Sequence, residues 1–252
     1  MERFLSSLKA FSESDIREIE ESDRQFRALE KLFRQISNVE LFLKLVVLNA
    51  LLSYQLQMRG ESYWEKFSEF FSKNPDLEKF PEFLKKYNRR FLSSKLKRFL
   101  RARECVEGIF KKYSVDEIGK NLSLFVRELS KCMKQSETSK TIVFSAKMLL
   151  YAYRIALGKE VGGIEEIEIP LDSRLKKIFP DLKSWREISE ILGIPPLRLD
   201  ALIWVPFGLS KEELKSYPKE LSEKIEKLKE EIERLKGESG GGNGLRREKG
   251  GE

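Results

Sequence analysis

Apolar residues recur three and four positions apart along almost the whole chain, the period of helices that each bury one face. This spacing predicts helices over 2–10, 14–36, 38–58, 61–72, 76–87, 90–113, 115–134, 139–157, 173–178, 184–192, 196–204 and 218–236. Turn signals punctuate the pattern at Gly60, Asn74-Pro75, Gly158, Gly162-Gly163, Phe179-Pro180 and Pro195-Pro196. Period-two alternation occurs in one short place, IEEIEIPL (164–171), a strand candidate. The expected fold class is therefore all-α.

Two stretches qualify that picture. LFLKLVVLNALL (41–52) is the most apolar run, but it is short and interrupted by Lys44, which predicts a core helix rather than a membrane span. The last helix is laced with Glu/Lys pairs, and Leu221, Ile225, Leu228, Ile232 and Leu235 form one narrow stripe. That stripe predicts packing along the body, with a self-association seam as the alternative. The expected organisation is a helical domain over 1–236, then a glycine-rich disordered tail over 237–252.

One helix carries an anomaly. Placed on a helix, 139–157 aligns Lys140, Phe144, Lys147 and Tyr151 on one face, while Ile142, Val143, Ala146, Leu149 and Leu150 cover much of the rest. Two ammonium groups on a helix that otherwise reads as buried need a reason. Lys140 lies in the first turn, where the helix dipole opposes a cation. A neighbouring ammonium and partial burial would add to that, favouring a neutral, nucleophilic amine. The plainer alternative is a first-turn lysine that snorkels to water.

Downstream, Asp172 in IEIPLDSRLKKIF (167–179) precedes a short helix after Pro170 and reads as its N-cap. A carboxylate aimed at the same cleft as Lys140 could also accept a proton or stabilise an oxocarbenium ion. In PPLRLDALIWVPFG (195–208), Asp200 and Trp204 share a face. Asp200 is surrounded by apolar neighbours in sequence, so it is either exposed opposite them or held for function.

Composition narrows the chemistry. The 252 residues carry a net charge of +7 and no histidine, so mechanisms that need imidazole are excluded. The positive balance favours a polyanionic partner. The densest basic run, KKYNRRFLSSKLKRFLRAR (85–103), repeats Lys95, Arg98 and Arg101 every three residues. It reads as a solvated face or as a stripe that contacts phosphates. Cys105 and Cys132 lie far apart in sequence and read as ordinary reduced thiols. High Lys, Glu and Arg with little Gln, Cys or His suits a hyperthermophile. The opening MERFLSSLKAF has no signal-peptide pattern, so the expected location is cytoplasmic, associated with the nucleoid.

Taken together, KTIVFSAKM (140–148), IPLDSRLKKIF (169–179) and LDALIWVPFG (199–208), with ALLSYQL and GESYWEKF upstream, resemble the archaeal 8-oxoguanine DNA glycosylase/apurinic lyases. These are a divergent branch of the helix-hairpin-helix glycosylases, and the resemblance covers roughly residues 15–210. It implies two helical subdomains with an active-site cleft between them and a hairpin element near 115–157. Lys140 matches the family's Schiff-base lysine and Asp172 its essential aspartate. The base pocket maps onto Gln25, Ser53, Trp64, Phe144, Lys147, Pro170, Asp200 and Trp204. One departure stands out: the superfamily hairpin is glycine-rich, whereas KQSETSK (134–140) has no glycine.

The implied activity is excision of 8-oxoguanine from DNA through a lysine Schiff base, with strand cleavage by β-elimination. It needs no metal and no organic cofactor. Its partner is damaged DNA with an extruded 8-oxoguanine, the expected state is a monomer, and no membrane is involved. The alternatives are a glycosylase or lyase for another damaged base, a non-enzymatic helical DNA-binding protein, or a scaffold assembled through helix 218–236.

Overall fold

The computed structural model describes residues 1–241, and among them every regular element is helical. The chain begins with α1 (Glu2–Lys9), α2 (Glu13–Ser22) and α3 (Arg24–Ile36). It continues through α4 (Val39–Leu52), α5 (Gly60–Lys73), α6 (Phe80–Tyr87) and α7 (Leu92–Lys112). Next come α8 (Val115–Lys120), α9 (Leu122–Met133) and α10 (Lys140–Leu157). The last four are α11 (Leu182–Leu192), α12 (Pro196–Gly208), α13 (Lys211–Leu214) and α14 (Lys219–Gly241).

Two predicted helices are each divided by a capping side chain. The run 14–36 breaks at Asp23, whose carboxylate accepts from the Gln25 amide at 2.8 Å and so ends α2 and starts α3. The run 115–134 breaks at Asn121, whose Oδ1 accepts from the Leu124 amide. Gly162 and Gly163 dock against that second break. A Cβ on Gly162 would lie 2.5 Å from the Lys120 carbonyl, and Gly163 has a φ of +67°.

Buried side chains divide into two cores. The first is built from α3 to α10, with Phe26, Leu45, Trp64, Phe83, Leu129 and Leu149 among its members. The second joins the N-terminal helices to the C-terminal third, through Phe4, Ile19, Ile169, Trp185, Leu202 and Ile225. The chain therefore passes between cores at two connections, and Leu197 of α12 also reaches back into the first core. One passage is at Asp23, between α2 and α3. The other is the stretch 164–171, which forms no strand: Ile164 and Ile167 enter the first core and Ile169 the second. Its alternation reflects burial in two different places rather than one sheet face.

The final helix behaves as its stripe predicts. Leu221, Ile225, Leu228, Ile232 and Leu235 are all buried in the second core, and α14 packs against α1 and α12. It extends to Gly241, into the stretch expected as tail; positions 242–252 of that tail lie outside the described residues. No single helix among the described residues is long and apolar enough to cross a membrane.

The cysteines correct the sequence expectation: Cys105 and Cys132 form a disulfide with a Cα–Cα distance of 5.7 Å. Twenty-seven positions of sequence separate them, but α7 packs against α9, which brings the two thiols together.

Candidate active site

α10 is the central element, packed against α3, α4, α9 and α12. It is entered through a six-residue connection from α9. Lys134 ends α9 in the left-handed conformation (φ +53°), the role a glycine would fill in a glycine-rich hairpin. Arg98 fastens this hairpin: its guanidinium donates to the Leu51 carbonyl, to Gln135 Oε1 at 2.7 Å and to Thr141 Oγ1 at 2.9 Å. Arg101 donates to the Cys132 carbonyl at 3.3 Å and is exposed. Ser139 is the N-cap of α10 but makes no side-chain cap bond, so the first-turn amides are not taken by its hydroxyl.

Lys140 is the first residue of α10 and is exposed, so the partial burial expected for it is absent. Two turns on, Lys147 is only 2 % exposed and pairs with Asp200 of α12, which is 5 % exposed. The alternative of an exposed Asp200 is thereby removed. Below them, Tyr151 donates to Asp23 Oδ2 at 3.2 Å, and the Lys147 ammonium lies 5.7 Å from the Tyr151 ring centroid. The stripe on α10 thus runs from exposed Lys140 into a buried charge cluster between the two cores.

The electrostatics follow from that burial. Burial pushes Asp200 upward, the Lys147 ammonium pulls it back, Asp172 adds a push upward and Lys140 a pull downward. Asp23 is also raised by burial, against the opposing effects of Lys147, the Gln25 amide and Tyr151. Burial alone would depress Lys147, but the Asp200 and Asp23 carboxylates outweigh it and hold the ammonium protonated. The interactions felt by Asp200 tie Lys140, Lys147 and Asp172 into one electrostatic neighbourhood.

Asp172 is half-buried, two residues after buried Pro170. Its Oδ1 accepts from the amides of Arg174 and Leu175, both at 2.9 Å. The capping role is therefore real and occupies one oxygen. Arg174 folds back so that its guanidinium lies 3.8 Å from the Trp204 ring centroid.

The other predicted residues divide by position. Gln25 and half-buried Trp204 meet at Gly60, where an added Cβ would lie 3.5 Å from Gln25 Nε2 and 4.0 Å from the Trp204 ring. Gln25 Oε1 is buried without a hydrogen-bond partner among the described residues. Trp64 is fully buried and meets half-buried Phe144 edge-on, ring centroids 6.1 Å apart. Ser53 caps the end of α4 and donates to the Asn49 carbonyl at 2.7 Å. A cavity of about 690 Å³ borders the cluster; Asp23, Arg27, Arg59, Arg174 and Trp204 are among its walls.

Lys95 departs from its predicted role. It is 0 % exposed, and its ammonium turns inward to Asn88 Oδ1 and the Gln55 carbonyl, so it is not part of a phosphate-facing stripe. Three-residue spacing falls about 60° short of a full helical turn, so the three side chains need not share one face, and Lys95 turns toward the Gln55 carbonyl and Asn88. Asp23 went unnoticed in the sequence because it sat inside an apparently continuous helix. The Ser-Asp-Arg-Gln order (22–25), an N-cap type ahead of a new helical run, was the available signal.

A second polar network, besides that of Lys147 and Asp200, holds this arrangement. Arg154 of α10 and Arg198 of α12 both donate to the Glu20 carboxylate of α2, which is 1 % exposed. The site thus brings together an exposed lysine, a half-buried carboxylate and a buried charge cluster at the meeting of two helical cores.

The comparisons with known proteins agree. A family model described as AGOG, N-glycosylase/DNA lyase, matches residues 5–237. An N-glycosylase/DNA lyase of Nanoarchaeum equitans is 42% identical over 217 residues, covering 85% of this chain and 92% of that protein. That of Thermococcus kodakarensis is 34% identical, covering 89% and 90%. The crystal structure of the 8-oxoguanine DNA glycosylase of Pyrobaculum aerophilum, complexed with 8-oxoguanosine, superposes with a TM-score of 0.75 at 26% identity, covering 89% of this chain and 94% of that one. The chain belongs to the AGOG family of N-glycosylase/DNA lyases.

Proposed function

We propose that this enzyme excises 8-oxoguanine from DNA through a Schiff base on Lys140 and cuts the strand by β-elimination. The observation that carries the reading is the junction itself. Lys140 and Asp172 both act electrostatically on buried Asp200, and Gln25, whose amide bonds Asp23 of the same cluster, has its Oε1 buried without a hydrogen-bond partner among the described residues. The complex of the Pyrobaculum aerophilum relative with 8-oxoguanosine supports the choice of base.

A base stacked in a duplex is beyond the reach of Lys140, so the nucleotide must rotate out, at a cost of a few kcal/mol. The first-turn amides of α10 and the exposed hairpin 136–138 suit a phosphate beside the lesion. Arg101, exposed on α7, suits a second one. The extruded base enters between Phe144 and Trp204. 8-Oxoguanine differs from guanine by an oxygen on C8 and a proton on N7, and Gln25 Oε1 accepts a hydrogen bond from that N7–H. A site built to accept a hydrogen bond rejects the analogue that lacks the donor more strongly than shape does.

The free amine of Lys140 attacks C1′ while the C1′–N9 bond breaks and the base departs with its electron pair. A proton supplied to the leaving base, and one removed from the attached nitrogen, balance the step. Ring opening gives the imine, and loss of a C2′ proton expels the 3′ phosphate. Asp172 stabilises positive charge at the sugar and handles these protons. Lys147, held by Asp200, presents a fixed cation to the base. These steps use no metal and no organic cofactor.

Borohydride trapping on an oligonucleotide with a single 8-oxoguanine tests this. A covalent adduct should form with the wild type and with Lys147→Gln, and vanish with Lys140→Gln. Loss with Lys147→Gln alone would move the nucleophile to that residue. Trapping only on an abasic control would restrict the enzyme to lyase action or to another lesion.

A further inference from the structure

The hairpin that leads into Lys140 is tied to the rest of the protein at very few points. Its turn closes on itself: the Ser139 amide donates to the Ser136 carbonyl at 3.0 Å, and the Ser136 and Thr138 hydroxyls meet at 2.9 Å. Ser139 supplies no side-chain cap, so α10 begins without the bond that commonly fixes a first turn. Among the described residues, side-chain hydrogen bonds between 135–141 and the rest of the chain run to Arg98 alone.

Both of those bonds leave one nitrogen. Arg98 Nη2 donates to Gln135 Oε1 at 2.7 Å and to Thr141 Oγ1 at 2.9 Å, and these two acceptors bracket 136–140. Arg98 Nε donates to the Leu51 carbonyl at 2.9 Å, one of the carbonyls that the last turn of α4 leaves without a helical partner. α4 packs along α10 in the first core, so the guanidinium refers both ends of the hairpin to the body that holds the rest of α10. Its planar fork can only donate and fixes its acceptors relative to one another, which a lysine cannot do. Thr141 follows Lys140 directly, about 100° round the helix. Arg98 is half-buried, with two of its three nitrogens directed at protein acceptors rather than outward to a phosphate.

We infer that Arg98 is a positioning residue for Lys140: by holding Gln135 and Thr141 at once, it fixes where the amine stands relative to the hairpin amides. This rests on the reading of Lys140 as the Schiff-base lysine. A nucleophile has to meet C1′ at near-attack distance, and a misplacement of 1 Å can cost about a hundredfold in rate. Lys140 is exposed and makes no side-chain hydrogen bond of its own among the described residues, so its backbone is the part that the protein can place. Arg98 acts on that backbone from both sides.

Single-turnover borohydride trapping at saturating enzyme, on a duplex with one abasic site, reads attack by Lys140 apart from base recognition. Arg98→Lys keeps a cation but loses the fork. It should slow trapping by about tenfold or more. Its affinity for the same duplex, and the slope of log K against log salt, should stay at the wild-type values. Thr141→Val removes one acceptor and should slow trapping by a smaller factor, with no further slowing when combined with Arg98→Lys. Should Arg98→Lys not fold, Thr141→Val carries the test alone. An unchanged trapping rate at saturation, with weaker binding and a salt slope smaller by about one, would make Arg98 a phosphate contact. A lowered Tm with wild-type trapping in both variants would make it a clamp for the fold only. Either result overturns the inference and leaves Lys140 as the nucleophile. An adduct that persists in Lys140→Gln would overturn the reading of Lys140 itself, and the inference with it.

Discussion

Lys147 and Asp200 form an ion pair across the two cores, with only 3 % and 7 % of their side chains exposed. One comes from α10 and the other from α12, so the pair is both part of the candidate pocket and a bolt between subdomains. Separating two charges that water cannot reach leaves one of them uncompensated, at a cost of about 3–5 kcal/mol. Lys147→Met should therefore destabilise the fold by about that amount. Lys147→Met combined with Asp200→Leu should recover most of it, because the desolvation penalty disappears with the pair. Urea denaturation of the two variants beside the wild type measures the difference. A single variant that costs under about 1 kcal/mol would mean that the pair is hydrated in solution.

Glu20 joins the cores at a second point. Its carboxylate receives two guanidiniums, Arg154 from α10 and Arg198 from α12, and is 1 % exposed. Glu20→Gln preserves the volume but leaves both cations without their buried counter-charge. The expected loss is again about 3–5 kcal/mol. Glu13 also contacts Arg198, but its side chain is 75% exposed, so Glu13→Ala should cost less than about 1 kcal/mol. Equal effects from the two substitutions would contradict the ranking by burial.

The helical class and most helix positions were legible because periodicity is a local signal that burial enforces in every element. Lys140 and Asp172 were singled out by their places in the pattern and given roles by the resemblance, and both act electrostatically on Asp200. What escaped was non-local. Asp23 was hidden within a helical run because its cap interrupts the backbone without interrupting the apolar period. The disulfide was missed because α7 and α9 become neighbours only after folding. Lys95 was misread because a buried lysine and a surface one have the same sequence appearance. The satisfied carbonyls and the Asn88 side chain that tolerate it come from α4, the loop after it and the end of α6.

The disulfide has a direct consequence for stability. It closes a loop of 27 positions and ties α7 to the helix that leads into the hairpin. Constraining the unfolded chain over a loop of that size is worth about 3 kcal/mol. Cys132 is exposed, so a reductant can reach it. Oxidised protein should be lighter than reduced protein by two hydrogen atoms in intact mass. Reduction should lower Tm by roughly 10 °C. Cys105→Ser together with Cys132→Ser should reproduce the lower Tm and remove the response to reductant. An unchanged Tm on full reduction would show that the cross-link adds nothing to the fold.

Lys95 should leave a signature in the pH dependence of stability. Burial, helped by the Arg90 cation, pushes its ammonium from the ordinary 10.5 down to about 8. The charged groups around it are Arg90 and Arg98, with the Tyr54 ring 4.9 Å away and the Tyr63 phenol beyond Asn88. Between pH 8 and 10.5 the unfolded chain holds the Lys95 proton more tightly than the folded one does. Stability from this residue therefore rises with pH across that window, by on the order of 3 kcal/mol in total. Other lysines lose their ion pairs over the same range, so the wild type alone is not diagnostic. The difference between wild type and Lys95→Met isolates the term. That difference should shift in favour of the wild type as pH increases from about 8 to 10.5, and stay flat below 7. A difference that is constant over the whole range would mean that Lys95 titrates as an ordinary surface lysine. Its burial against Asn88 and the Gln55 carbonyl would then be wrong.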